Sequence, residues 1–472
     1  MFSMLPVLPV FSMLPMLPML RVLLTLLTCA VAVPALALDG QQRRSLVESF
    51  DTAYDEAHAG WGSAHKYLDA AALNFAYAQL DAGDQTAIHK IRRTLDANHQ
   101  LIDPVWGGVY EYAALPDWQH PSYSKLLRTQ ADNLLQYSEA YARWHRPADL
   151  AAAQQVQRYL TGFLAAPDGG FYSGQYAEFT SKTTAEEFYA RDAAGRRALG
   201  MPRLDTQEST ASAGWTIEAL CKYHDVTGDA EALSRAVHAA DWALQERHGN
   251  SGAAFGHLSR NDGVRLDDNA AMAAGFIALY RSTGDRHYLQ AAVSALHFID
   301  STLRDARGGY LAMRTAEGGH GRSPEATREV LENAHVARTA NMVFHYTGVA
   351  VYRQLARYAM QYLDAVAAAS PHSYQPAVLL ADHELASLPI HLTIVGGKND
   401  RSAQALHAAA LRYPADYLQI DWWDRSEGEL PDPTISYPVL PRAAAFACTA
   451  NACSTPVYDP QELQERVRAI LN

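Results

Sequence analysis

Apolar positions between residues 41 and 388 recur at helical spacing. In "YLQAAVSALHFIDSTL" (288–303), Leu289, Ala292, Val293, Leu296 and Ile299 fall on one face of a 3.6-residue helix. An alanine-rich amphipathic stretch and a Gly-Asp turn precede it, and Gly-Gly-aromatic follows. Gly83 and Gly107, Gly228 and Gly252, and Gly284 and Gly308 are each 24 residues apart. Glycine ends a helix by taking a positive φ just past its last turn. The repeated unit is therefore a helical hairpin followed by a tight loop.

Six loops close such units: "HAGWG" (58–62), "WGGVY" (106–110), "DGGFY" (168–172), "GAAF" (252–255), "RGGYL" (307–311) and "HSY" (372–374). Six stretches supply the other helix of each pair, near 66–82, 126–144, 208–226, 267–282, 332–346 and 375–387. A lone helix near 41–56 is free to pair with the last of these and close a ring. Open helical arrays need polar capping repeats, whereas a closed ring does not. The pattern predicts a mainly α chain, with an (α/α)6 toroid over residues 38–388. Its inner helices converge on a central cavity, with their N-terminal ends lending positive charge to one mouth. The pattern then changes. Strand-like "IHLTIVGG" (390–397), "DYLQIDWW" (416–423) and "RAAAFAC" (442–448) alternate with helical 402–413 and 459–471, where Asp459 is the N-cap and Pro460 opens the helix. Residues 389–472 read as a small α/β appendage beside the ring.

The first 37 residues read as a signal peptide rather than fold. A Met-Leu-Pro stretch precedes Arg21 and the apolar run "VLLTLLTCAVAVPALA", which ends in Ala35-Leu36-Ala37. The expected product is exported, periplasmic or secreted, and begins near Leu38. The run is short for a membrane span, and no other segment approaches that length. Export permits a disulfide, for which Cys448 and Cys453 are the expected pair, while Cys221 lies in a helical stretch as a core thiol. The net charge of −12 argues against nucleic-acid binding. A protein partner is not identified by the sequence.

Proton-transfer chemistry in such a ring needs acid and base groups at the inner-helix N-terminal ends. Asp267 and Asp268, Asp205 and Glu208, and Glu332, Asn333 and His335 stand there, as do His65, Lys66, Lys125 and Arg128. Each also has a structural role open to it. The aspartates cap helices, Glu208 is a first-turn acid, His335 is a hydrogen-bonded core group, and the lysines pair with carboxylates. Trp118, Tyr110 and Tyr172 either stack on a ligand or pack loops. "GGK" (396–398) lacks the rest of a phosphate loop, and "HELAS" (383–387) lacks the second histidine of a zinc helix. No cofactor and no metal is expected.

Several segments resemble the spermatogenesis-associated, thioredoxin-domain-containing proteins and their bacterial YyaL-like relatives. These are "AFACTANACSTPVYDPQEL" (445–463), "LDDNAAMAAGFIALYRSTGD" (266–285), "GWGSAHKYL" (60–68) and "WQHPSYSKLLRTQ" (118–130). The resemblance covers about residues 45–472. It implies a six-hairpin toroid similar to N-acylglucosamine epimerases and six-hairpin glycosidases, with a small C-terminal α/β region. The family's thioredoxin-like domain is expected to be missing here. Lys66, Trp118, Pro121, Lys125, Gln130, Asp268 and Asn333 fit the family pattern. Ser122, Ser124 and Thr129 stand where it has His, Glu and Asp, and Ser212-Ala213 where it has Trp-Asn. The resemblance implies a sugar or other small-molecule ligand in the cavity. Asp268, Glu208 and His335 are the acid–base candidates, and Lys66, Trp118, Lys125 and Asn333 the binding candidates. The replaced positions point alternatively to a non-catalytic binding protein. A redox role for Cys448 and Cys453 is the remaining reading.

Overall fold

The structure, a computed structural model, describes residues 38–178, 182–249, 254–313, 327–449 and 453–471. The expected signal peptide and Gly252 lie outside these residues. Among the described residues, fourteen helices build the ring region: α1 (Gly40–Thr52), α2 (Ala70–Asp81), α3 (Ala87–Asn98), α4 (Leu127–Trp144), α5 (Pro147–Tyr159), α6 (Ala185–Tyr189), α7 (Ala193–Leu199), α8 (Thr210–Thr227), α9 (Ala230–Trp242), α10 (Leu266–Thr283), α11 (Arg286–Thr302), α12 (Val330–Thr347), α13 (Ala350–Ala369) and α14 (Pro376–Ala386). Helices α2, α4, α8, α10, α12 and α14 form the inner layer, each packed on the next. The last inner helix, α14, packs on α2 and on α1, so the ring is closed by the two ends of the hairpin series. This is the (α/α)6 toroid expected from the repeat.

The Gly-Asp turn serves both helices of a hairpin. Gly284 ends α10 at φ 70°, and its N–H returns to the Tyr280 carbonyl. Asp285 then caps α11 by accepting from the His287 N–H. A carboxylate at a helix N-terminus satisfies an otherwise orphaned donor and meets the helix dipole favourably.

The closing loops are clamped by a second device. Gln130, Asn269 and Asn333 each occupy the fourth position of an inner helix, in α4, α10 and α12. Each side-chain amide both accepts from and donates to the backbone of a loop residue. Gln130 holds Val109 at 2.6 and 2.8 Å, Asn269 holds Phe255 at 3.0 and 3.2 Å, and Asn333 holds Tyr310 at 2.7 and 3.0 Å. Buried backbone groups that no sheet satisfies thereby find partners.

Short strands dress the N-terminal side of the ring. β1 (Tyr112–Ala113) pairs with β2 (Pro121–Ser122), and β3 (Lys125–Leu126), β4 (Gly174–Gln175) and β5 (Leu204–Asp205) form a second small sheet. Helices α6 and α7 arise from an insertion whose signals are local. Thr184 and Glu187 form a capping box, and Asp192 caps the next turn.

The C-terminal unit comprises β6 (Ile390–Val395), α15 (Arg401–Leu411), β7 (Leu418–Trp423), β8 (Ala444–Cys448) and α16 (Pro460–Leu471). The strand order is β7-β6-β8. β6 and β7 are parallel across the α15 crossover, and β8 runs antiparallel to β6. Cys448 and Cys453 form a disulfide, and Cys221 is a free, buried thiol. The unit does not stand beside the ring but covers the mouth where the inner helices end. Tyr280 donates to Asp421 at 2.8 Å, Ile420 N–H to the Tyr346 hydroxyl at 3.2 Å, and Asn341 to the Tyr417 hydroxyl at 2.7 Å. Lys398 donates to the carbonyl of Gly284 at 2.8 Å, placing a cation on the negative end of α10. A periodicity reading assigns elements but not the face on which a unit docks.

Candidate functional site

The inner helices enclose a cavity of about 310 Å³ towards their N-terminal ends. Arg128 and Asp132 of α4, Trp215 and Glu218 of α8, and His335 and Arg338 of α12 line it. These pairs are three or four residues apart, which puts both members on one helix face. Tyr67 and Leu331 also border the cavity and are themselves well exposed. A chamber of about 100 Å³ shares Glu218, His335 and Arg338 and ends on Tyr417 and Leu418. The C-terminal unit therefore forms the floor.

Most charges in the cavity are committed to protein partners. Arg128 Nε donates to both oxygens of Asp132 at 2.9 Å, and Arg338 makes two bonds to Glu384 at 2.9 and 2.8 Å. Asp69 caps α2 and accepts from the Tyr374 hydroxyl at 2.8 Å. The Arg128 guanidinium lies 4.5 Å from the centre of the Trp215 ring, and Trp215 lies 4.4 Å from the His335 ring. Glu218 differs: among the described residues it has no hydrogen-bond or ion-pair partner. Burial pushes its carboxyl above the usual range, against the pull of Arg338, Arg281 and Arg128. Burial, with Arg128 and Arg338 adding to it, holds His335 well below the usual imidazole range. The cavity thus presents a carboxyl inclined to keep its proton and an imidazole that is neutral at pH 7, a donor and an acceptor in one chamber.

Of the residues singled out by sequence, His335 and Arg128 line this cavity. The others sit elsewhere. Asp268 is fully buried, accepting from the Ala211 N–H at 2.8 Å and facing His257 Nδ1 at 3.1 Å, so it joins the starts of α8 and α10. This hydrogen bond raises the His257 pKa. Glu208 precedes α8 and lies 3.9 Å from Arg247, against the Gly170 loop. Asn333 faces the Tyr310 loop as described. Lys66 is buried on Asp55 at 2.9 Å and the Gly62 carbonyl at 2.6 Å. Trp118, at φ 64°, donates to the His58 carbonyl at 2.8 Å and packs on Gly60. Lys125 is buried on Asp103 and the Gly107 carbonyl, both at 2.7 Å, and 4.4 Å from the Tyr159 ring. Burial lowers its pKa to about 8. These groups hold the closing loops, so the expected convergence of Asp268, Glu208, Asn333 and Lys125 on one pocket does not occur.

Trp215 and Glu218 carry a signal that the sequence reading passed over. They are polar or amphipathic positions three apart on a helix whose other faces are buried.

Residues 114–367 match the family described as β-L-arabinofuranosidase, GH127 catalytic domain. The chain belongs to that family. The GH127 segment carries all six of the cavity residues on α4, α8 and α12 named above. The family is carbohydrate-active, and the chain is one of its six-hairpin members. The mouse spermatogenesis-associated protein 20 is 26% identical over 155 residues, which are 31% of this chain and 19% of the mouse protein. This chain therefore matches about a fifth of the length of that relative. Among solved structures, a sugar epimerase from a ruminal bacterium superposes with TM-score 0.54 at 12% identity, over 68% of this chain and 85% of that one. A GH76 α-mannanase from Bacteroides thetaiotaomicron gives TM-score 0.53 at 10% identity, over 73% and 94%. At such identities the likeness is one of fold.

Proposed function

We propose that the protein binds a sugar in the ring cavity and transfers protons on it, with Glu218 as donor and His335 as acceptor. The carrying observation is the pair of uncommitted groups in one chamber, a protonation-prone carboxyl and a neutral imidazole. Such a pair suits isomerase-like chemistry, in which a proton leaves one carbon or oxygen and another is returned. Trp215 and Tyr67 supply apolar faces for the ring of a sugar. Incubating the protein with a library of reducing sugars in D2O tests this reading. Deuterium incorporation at a sugar carbon, lost in Glu218→Gln and in His335→Asn, is expected. Incorporation unchanged in both variants overturns it, and saturable binding without turnover assigns a binding protein instead.

A second reading is glycoside cleavage, supported by the family's glycosidase description. Glu111, which also lines the cavity, is a second carboxylate with no side-chain hydrogen bond among the described residues. Cleavage needs two carboxyl groups flanking the bond. Release of nitrophenol from an aryl glycoside, abolished in both Glu218→Gln and Glu111→Gln, would select it.

We also propose that the protein is exported with Leu38 as its first residue. The Ala35-x-Ala37 end of the apolar run and the Cys448–Cys453 disulfide support this. N-terminal sequencing of the product tests it, and retention of the apolar run would refute it.

A further inference from the structure

The chain at Leu38 docks into the ring more tightly than a linker would. The Leu38 side chain is 3% exposed and belongs to the main core. Its N–H donates to Asp382 Oδ1 at 2.6 Å, although Asp382 lies 344 residues away on α14. The Asp382 side chain is 2% exposed. Arg43 Nε reaches Asp382 Oδ2 at 2.6 Å, and Arg43 Nη2 spans Asp382 Oδ1 at 3.0 Å and the Leu38 carbonyl at 3.1 Å. Asp39 also acts electrostatically on Arg43. Asp382, Asp39 and Arg43 sum to a formal charge of −1, with Asp39 also capping the start of α1.

We infer that Asp382 is the receptor for the α-ammonium of a processed N-terminus at Leu38. A leader endopeptidase that cuts after small residues supplies the cleavage. Water breaks the Ala37–Leu38 peptide bond, its hydroxyl goes to the Ala37 carboxyl, and the Leu38 nitrogen takes up protons to become an ammonium. The bond is cut before Leu38 is buried. The N–H to carboxylate contact, charge-assisted on the acceptor side alone, then becomes an ion pair with both partners charged, and the formal charge of the cluster falls to zero. The processed terminus becomes part of the lock between α1 and α14. This inference rests on cleavage after Ala37, but its receptor half is testable without export.

The test compares three chains that run to Asn472 from defined first residues: Leu38, Ala37, and Leu38 with its amine acetylated. The chain starting at Leu38 is expected to melt about 1–2 °C higher than the other two, from the charge added to one existing bond. Its amine is expected to react with an amine-labelling reagent at pH 7 at least tenfold more slowly than that of the Ala37 form. Asp382→Asn in the Leu38 form should restore fast labelling. Equal melting temperatures in the three chains, or equal labelling rates with and without the Asp382 carboxylate, overturn the receptor. Should sequencing of exported protein show another terminus while these differences hold, the receptor stands and the export site falls.

Discussion

Replacing Asn333 with alanine isolates the loop clamp from ligand binding. The side chain makes three hydrogen bonds: from the Tyr310 N–H at 2.7 Å, to the Tyr310 carbonyl at 3.0 Å and to the Glu329 carbonyl at 2.9 Å. Tyr310 is fully buried, so its two backbone groups gain no water when the amide is removed. A buried polar group left unpaired costs ~1–3 kcal/mol, so two of them give about 4 kcal/mol. That is a large share of the ~5–15 kcal/mol by which domains are stable. Urea unfolding followed by tryptophan fluorescence measures it, with exposed Gln290→Ala on the outer helix α11 as control. We expect Asn333→Ala to unfold at clearly lower urea and the control to match the parent. Any ligand found for the cavity should bind the folded variant with unchanged affinity, because Asn333 does not line it. A loss below about 1 kcal/mol, or loss of binding with unchanged stability, would refute the clamp.

Glu332 titrates at about 8, raised first by burial and then by Asp267, Glu329 and Asp268. A carboxyl raised in the folded state favours folding while protonated, so stability should fall as pH climbs from about 4.5 to about 8; Glu332→Gln should flatten that slope in thermal melts, and an unchanged slope would count against it. Gly214→Ala would set a Cβ 2.5 Å from the Ala271 carbonyl carbon, forcing α8 and α10 apart, and chemical denaturation should register a loss on the order of 3 kcal/mol. Converting Cys448 and Cys453 to serine opens a short loop worth about 2 kcal/mol in the chain-entropy view, and reductant should lower the melting temperature of the parent but not of that variant.

The toroid was legible because its signals are local and repeated. Glycine ends α8, α10 and α12, aspartate caps α9 and α11, and the glycines recur at a regular interval. The cavity was not, for a geometric reason. Knowing that Asn333 lies early in α12 fixes its height in the ring but not its direction. Asn333 and His335 are two residues apart, so they point about 200° away from each other around the helix. His335 meets the cavity, and Asn333 meets the loop behind it. Lys125 failed differently. It precedes α4, on β3, and the insertion carrying α6 and α7 covers it: Arg196 from α7 reaches the same Asp103 at 2.6 Å. The docking of the C-terminal unit depends on contacts between residues more than 60 apart, such as Asn341 with Tyr417, which no local pattern encodes.

Because α1 and α14 share the closing hairpin, the ring is finished by the two ends of a long stretch of chain. Tyr374 and Asp69, 305 residues apart, bond across the same seam. During synthesis the earlier hairpins emerge with nothing to complete the circle until α14 leaves the ribosome. Contacts of such sequence separation form late and slowly, because loop-closure entropy must be met before they are made. The chain therefore spends its early life as an open strip, with the flanks of α2 and α12 uncovered. That state is the one most exposed to aggregation and proteolysis. A chain stopped short of α14 would remain in it, so shortening this protein from its C-terminus should deplete it by degradation rather than yield a smaller ring.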